Sequence, residues 1–283
     1  MMKVRLVLLG TIAAVMSGCG RSPRIAGGPE PAPTANPPSM VSSSRTTWTI
    51  TPTTQEYRYR SSAGTLLELS DSAGTTGDSI DSTVDYTLSV TRSPETLSYS
   101  VTVESMSVQG GQRTGSVARQ LPFSFTGHLQ HGKLTINAPA VQSAIDCSNE
   151  ALSTATAIQR TVVPVPLFVQ KDMTWMDSTT ASVCSGLIPV TSTALRRYRV
   201  MGETDKGILI ERQDRTVSAG EGTQGQHRVR LRSDGTGTAQ LIVDSRTGSL
   251  IESTGMYVTS VVVTASGRER KFTQTTRERI SLR

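Results

Sequence analysis

From Thr46 onward the chain alternates apolar and polar positions with a period of two. Trp48 and Ile50 alternate with threonines, Tyr57 and Tyr59 with Arg58 and Arg60, and Val84, Tyr86, Leu88 and Val90 with Asp85, Thr87 and Ser89. Successive side chains of a strand point to opposite faces, so the pattern predicts half-buried antiparallel strands. Leu97, Tyr99, Val101 and Val103 repeat it after a turn at Arg92-Ser93-Pro94-Glu95. Gly110-Gly111 interrupts the next stretch, Leu121, Phe123 and Phe125 start another strand, and Gly127 to Gly132 turns the chain into Leu134 and Ile136. In the last third, Asp205-Lys206-Gly207, Ser233-Asp234-Gly235, Asp244 to Gly248 and Ala265-Ser266-Gly267 separate apolar runs. They predict a β-meander with strands near 190–201, 206–218, 226–232, 236–244, 249–264 and 268–282, and the N-terminal strands extend the same sheet.

The alternation stops between Pro139 and Arg160. There Val141, Ile145, Leu152 and Ala155 recur at helical separations, which predicts one helical segment near 140–160, ended by Pro164-Val165-Pro166. The fold class is therefore mainly β: an antiparallel curved sheet, half-barrel or barrel, with a meander at its C-terminus and that single helix. Local connections and strand twist favour such curvature. Aromatics make up only 4% of the chain, so the core must be mostly aliphatic.

The first 44 residues follow other rules. Lys3 and Arg5 precede an apolar run from Leu6 to Met16 that is too short to cross a bilayer as a helix, and the run ends in the small residues Ser17-Gly18 before Cys19. This resembles the bacterial lipobox, with Met16 where Leu is usual. The resemblance implies a signal peptide over 1–18, acylation (palmitate among the chains) of Cys19 as the first mature residue, and an extracytoplasmic, membrane-anchored protein. Gly20 is not the Asp associated with inner-membrane retention, so in a host with two membranes the resemblance favours the outer one. Residues 20 to about 44 hold six of the thirteen prolines and no apolar periodicity, so 19–44 reads as a lipidated N-terminus and disordered tether, and 45–283 as a single β-rich domain.

Charge changes the picture slightly. The chain has 29 Lys+Arg and 23 Asp+Glu, a net +6, of which Lys3 and Arg5 fall within 1–18, leaving +4 for residues 19–283. Arg228, Arg230 and Arg232 share one face of a predicted strand, and Arg268, Arg270, Arg277, Arg279 and Arg283 crowd the last one. A cationic face for lipid headgroups or envelope polymers competes here with a plain solvated surface. Nucleic acid is a poor partner, because the compartment is extracytoplasmic and no aromatic stacking motif accompanies the arginines.

No catalytic motif stands out: no GxSxG elbow, no HExxH, and no phosphate-cradling loop leading into a helix. His128 and His131 flank a predicted turn and read as an exposed hairpin tip, and His227 stands alone, so neither a metal nor another cofactor is expected. The glycine-rich stretch from Ala219 to Gly225 reads as a mobile loop. Trp175-x-Asp177 followed by Cys184 is similar to segments of secreted bacterial lipoproteins, and the architecture is similar to the family of lipoprotein carriers that hold acyl chains in a half-barrel. Two functions compete. One is a non-enzymatic lipoprotein binding an apolar, lipid-like ligand in its curved sheet; the other is a structural or interaction lipoprotein of the envelope that uses its basic surface. An enzyme would need a cleft gathering His128 or His227 with acids and a Ser.

Two outcomes follow from the cysteines. Cys19→Ser is expected to release the protein from the membrane fraction or to leave it unprocessed; an unchanged, fully soluble distribution of both forms contradicts the lipobox assignment. With Cys19 taken by acylation, Cys147 and Cys184 remain as an even pair in a compartment where disulfides persist, so a disulfide between them is expected. In the chain-entropy model such a bond stabilises by roughly 3–4 kcal/mol. Intact mass after thiol blocking of the unfolded, unreduced protein checks it, and two labelled thiols refute it.

Overall fold

A computed structural model of the chain describes residues 47–51, 53–71, 74–93, 96–110, 115–116, 122–130, 133–137, 158–185, 188–224 and 227–283. In chain order these form β1 (Thr47–Thr49), β2 (Thr54–Asp71), β3 (Gly74–Arg92), β4 (Thr96–Gly110), β5 (Gly115–Ser116), β6 (Phe123–Gln130) and β7 (Lys133–Asn137). A 3-10 turn (Gln159–Thr161) follows, then β8 (Phe168–Gln170), β9 (Thr174–Ser185), β10 (Ile188–Glu203), β11 (Ile208–Gln224), β12 (His227–Val243), β13 (Leu250–Ala265) and β14 (Arg268–Leu282). The protein is mainly β, as the alternation predicts.

Ten strands pair antiparallel in the order β9-β10-β11-β12-β13-β14-β2-β3-β4-β6 and curl into a half-barrel. The N-terminal strands do extend the meander, because β14 pairs with β2 from Phe272↔Leu69 to Leu282↔Tyr59. The two edges are joined by β7, antiparallel to β6 and tied to β9 by two parallel pairs, Lys133↔Ser178 and Leu134↔Thr179. β5 adds two pairs to β4. Turns 204–207 and 244–249 mark what we term the lower end, and Ser266-Gly267 the upper end. At that upper turn both residues have positive φ, 50° and 74°, as a tight two-residue hairpin needs.

The concave face at the lower end is filled by the chain itself. Residues 158–169 and β1 run inside, and β1 pairs with β8 through Trp48↔Val169 in a separate two-stranded sheet. Trp48, Ile50, Val162, Val163, Val165 and Val169 are buried in one cluster with Tyr59, Tyr86, Tyr198, Val200, Ile210 and Leu241 from the sheet. Trp48 and Ile50 thus belong to this inner segment and not to the main sheet. The expected helix is not borne out: among the described residues there is only the 3-10 turn, and 138–157 lie outside them. β-Branched Thr161, Val162, Val163 and Val165 with Pro164 and Pro166 favour extended chain after that turn. Its carbonyls need donors inside the barrel, and Arg92 supplies two bonds, Nη1 to Val165 O at 2.5 Å and Nη2 to Val163 O at 3.4 Å. Tyr86 OH pairs with Thr161 Oγ1, and Ile50 N donates to Leu167 O at 2.7 Å.

Two glycine-marked turns are strand instead. Ser233, Asp234 and Gly235 stay within β12, paired with Ser218, Val217 and Thr216 of β11. Cβ atoms built on Gly235 and Gly237 would lie 2.6 Å from Thr259 Oγ1 and 2.2 Å from Tyr257 Cδ1, so these glycines admit large side chains of β13 across the inner face. The stretch expected to form a mobile loop is paired through Gln224, and a Cβ on Gly220 would lie 2.1 Å from Pro189 O and 2.7 Å from Val190 Cα. Gly220→Ala therefore forces β10 and β11 apart. A loss of about 1–3 kcal/mol is expected in urea unfolding; a silent substitution would mean that this stretch is not held in the sheet.

Candidate functional site

Above the apolar plug the barrel wall turns its charges inward. Along β10 the apolar phase of Ile188, Val190, Tyr198 and Val200 also contains Arg196, and along β11 the phase of Ile208 and Ile210 contains Arg212 and Asp214. Arg196 Nε donates to Asp177 Oδ1 at 2.7 Å and its Nη2 to Thr179 Oγ1 at 2.6 Å, while Tyr198 OH donates to Asp177 Oδ2 at 3.2 Å. Trp175 stacks on Tyr198 with ring centroids 5.1 Å apart. Arg196 and Asp177 side chains are 4% and 1% exposed, so bulk water does not screen them.

Arg212 ties the wall to the plug. Its Nε donates to Asp214 Oδ2 at 3.0 Å, its Nη1 to the carbonyl of Arg160 at 3.0 Å and its Nη2 to Tyr257 OH at 2.6 Å. Arg160 lies over the Tyr257 ring, 4.2 Å from its centroid, and its Nη1 reaches Glu278 Oε2 at 3.4 Å. Three guanidiniums thus meet three carboxylates, and the layer is neutral as a whole. Burial works against the Arg212 charge, yet Tyr257 and Asp214 more than offset it and hold the guanidinium protonated. Burial pushes the Tyr198 phenol well above its ordinary range. Arg92, which has peptide carbonyls and no carboxylate, is pushed down to about 10 by burial. Each carboxylate of the layer is engaged by a guanidinium: Asp177 by Arg196, Asp214 by Arg212 and Glu278 by Arg160.

The residues singled out by sequence do not converge. Cys19, Cys147 and His131 lie outside the described residues; Cys184 sits in β9 opposite Pro189, and its side chain is likewise outside them. His128 is not at a hairpin tip but within β6, between Ser98 of β4 and Thr135 of β7. His227 Nδ1 pairs with Ser266 Oγ at 2.8 Å beside the upper turn. The arginines of the last strand, close in sequence, are split between the two ends. Arg279 pairs with Glu252 at 2.8 Å and Arg283 with Asp85 at 3.3 Å at the lower end, while Arg268 and Arg270 lie at the upper end with Lys271. Arg228 and Arg230 do share the outer face of β12, and both reach Glu221, at 2.6 Å and 3.4 Å. No protein-family model and no curated protein matches this chain.

Removing one partner of the inner pair isolates the other. Arg196→Met leaves Asp177 buried without its cation and is expected to cost about 3–5 kcal/mol at neutral pH in urea unfolding. In that variant burial raises the folded-state carboxyl above its unfolded value of ~3.9, so the penalty is full above the raised value and shrinks as pH falls through it. A loss independent of pH between 7 and 4 would show that Asp177 is solvated.

Proposed function

We propose that this is an extracytoplasmic lipoprotein, acylated at Cys19, that acts without catalysis, through contacts of its outer surface with a partner in the cell envelope. The observation that carries this reading is the occupied interior. A carrier of acyl chains needs an apolar hollow of some hundreds of cubic ångströms. Here the lower concave face is taken by 158–169 and β1, and the layer above it by buried ion pairs. Charges buried in that way oppose an apolar guest, because their hydrogen bonds leave no room for exchange with one. The outer faces of β11, β12 and β14, by contrast, carry exposed charges, among them Arg215, Glu221, Arg230, Lys271 and Arg277.

A lipid-like ligand remains the second reading, favoured by one feature: Ile188, Val190, Val229, Leu231, Val261, Val263 and Phe272 form a separate apolar cluster on the inner face of the upper end. Native mass spectrometry of the protein extracted from membranes separates the two. The bare acylated mass is expected, together with an envelope partner captured by crosslinking in cells. A stoichiometric lipid beyond the anchor, lost on Leu231→Glu, would overturn the surface reading in favour of the carrier.

A further inference from the structure

The buried guanidiniums of the interior all have partners: Arg196 has Asp177, Arg212 has Asp214, Arg160 has Glu278, and Arg92 has peptide carbonyls. Two arginines on the same face of the sheet have none. Paired strand residues point to one face, and the register sets Leu231, Val263 and Arg270 side by side, with Val229, Ala265 and Arg268 one step nearer the upper rim. On the same phase of β14, Phe272 pairs with Leu69 of β2 and Gln274 with Leu67. Arg268 and Arg270 are therefore inner-face residues at the mouth of the barrel. Both are exposed, and among the described residues neither makes an ion pair or a side-chain hydrogen bond. Glu269 and Lys271, on the opposite phase, point outward and pair with each other at 3.6 Å. Solvent still reaches the inner face below the rim: Leu67, Leu69, Ser233, Thr259 and Gln274 are half-buried, although Val263 and Phe272 beside them are 3% and 7% exposed. The upper interior thus offers open apolar surface on β2 directly below two unpaired cations.

We infer that the inner lip of the upper end binds a short anionic amphiphile, its acidic head on Arg268 and Arg270 and its apolar body along Leu69 and Leu67. Charge complementarity fixes the head. Alternate residues of a strand stand about 6.7 Å apart, so the two planar forks can share one carboxylate or phosphate monoester. Deeper on the same face Asp78 stands beside Leu67, and the guanidiniums of the charge layer are already paired, so an anion is held at the rim and not below it. The wall also limits the body. From Arg270 to Gln274 the apolar stretch covers about 13 Å of strand. Below that level Gln274, Thr259 and Ser233 line the inner face with an amide and hydroxyls, and a longer chain gains nothing from meeting them. This site goes beyond the surface reading and does not replace it. With both guanidiniums open to water the guest exchanges with solvent, so it is not retained through extraction, and the bare acylated mass remains the expected result.

The test titrates the full chain carrying Cys19→Ser, so that no acyl group competes, by calorimetry with each probe below its aggregation threshold. The probes are hexanoate, decanoate, hexadecanoate, decyl phosphate, decanol and decyltrimethylammonium. Decanoate and decyl phosphate are expected to bind saturably at one site, and the tighter of the two identifies the head. Affinity should rise roughly two- to fourfold per methylene from hexanoate to decanoate and level off toward hexadecanoate. Replacing Arg268 and Arg270 together by Gln should weaken decanoate roughly tenfold. Arg228 and Arg230, exposed on the outer face of the same end, lose the same charge when replaced by Gln and should change binding by no more than about twofold. Thermal melts confirm that both variants are folded, and Arg270→Gln alone, with about a threefold loss, serves if the double variant is not. Equal losses in the inner and outer variants, equal binding of decanol or decyltrimethylammonium, a continued gain up to hexadecanoate, or no saturable binding each overturn the inference. None of these results bears on whether an envelope partner is captured in cells, which the crosslinking decides separately.

Discussion

A wide curved sheet has an inner face that must be covered, and everything else in this protein depends on how that is done. Ten strands enclose more space than their side chains can fill when only 4% of the chain is aromatic. The chain solves this by sending its own backbone inside, as residues 158–169 and β1. Backbone brings carbonyls and amides as well as apolar surface, and buried peptide groups need partners. The inward arginines follow from that need: Arg92 serves the carbonyls of Val163 and Val165, and Arg212 that of Arg160. Those cations in turn demand acids and phenols, which Asp214, Glu278 and Tyr257 provide.

The sheet was legible in the sequence because alternation reports which face of a strand is covered, and β3, β4, β10 and β13 show it plainly. The inner segment was not. Its apolar residues lie in a run with two prolines and no period, where a pattern method has nothing to count. The charge layer was missed for a different reason. Arg196, Arg212 and Asp214 sit on the inward phase of their strands, and a charged residue there reads at first as an outward one with the register slipped. Keeping the register set by Ile188, Val190, Tyr198 and Val200 would have placed Arg196 inside. The glycines misled in the opposite direction. At Gly220 and Gly235 the missing side chain makes room for a neighbour, and local sequence does not distinguish that use from a turn or a loop.

The division of labour along the barrel axis follows from these elements. At the lower end packing is dense, with Tyr59 stacked on Tyr86 at 5.6 Å and bonded to Leu250 O at 2.6 Å. At the upper end hairpins are short and outer residues charged. The dense packing and the exposed charge thus sit on different residues, so substitutions of Arg228, Arg230 and Arg232 on the outer face of β12 need not disturb the plug.

The pairing of β14 with β2 has a consequence for how such a protein is made. The strand at residues 268–282 completes a wall begun at residues 54–71, so the ends of the domain meet across some two hundred intervening residues. Contacts that distant form late, after the entropy of closing a long loop has been met. Until the last strand arrives, β2 and β13 each present an unpaired edge, the kind of template on which chains join one another. A polypeptide that crosses a membrane from its N-terminus would spend its passage in that open state, and a chain shortened by its final fifteen residues would never leave it.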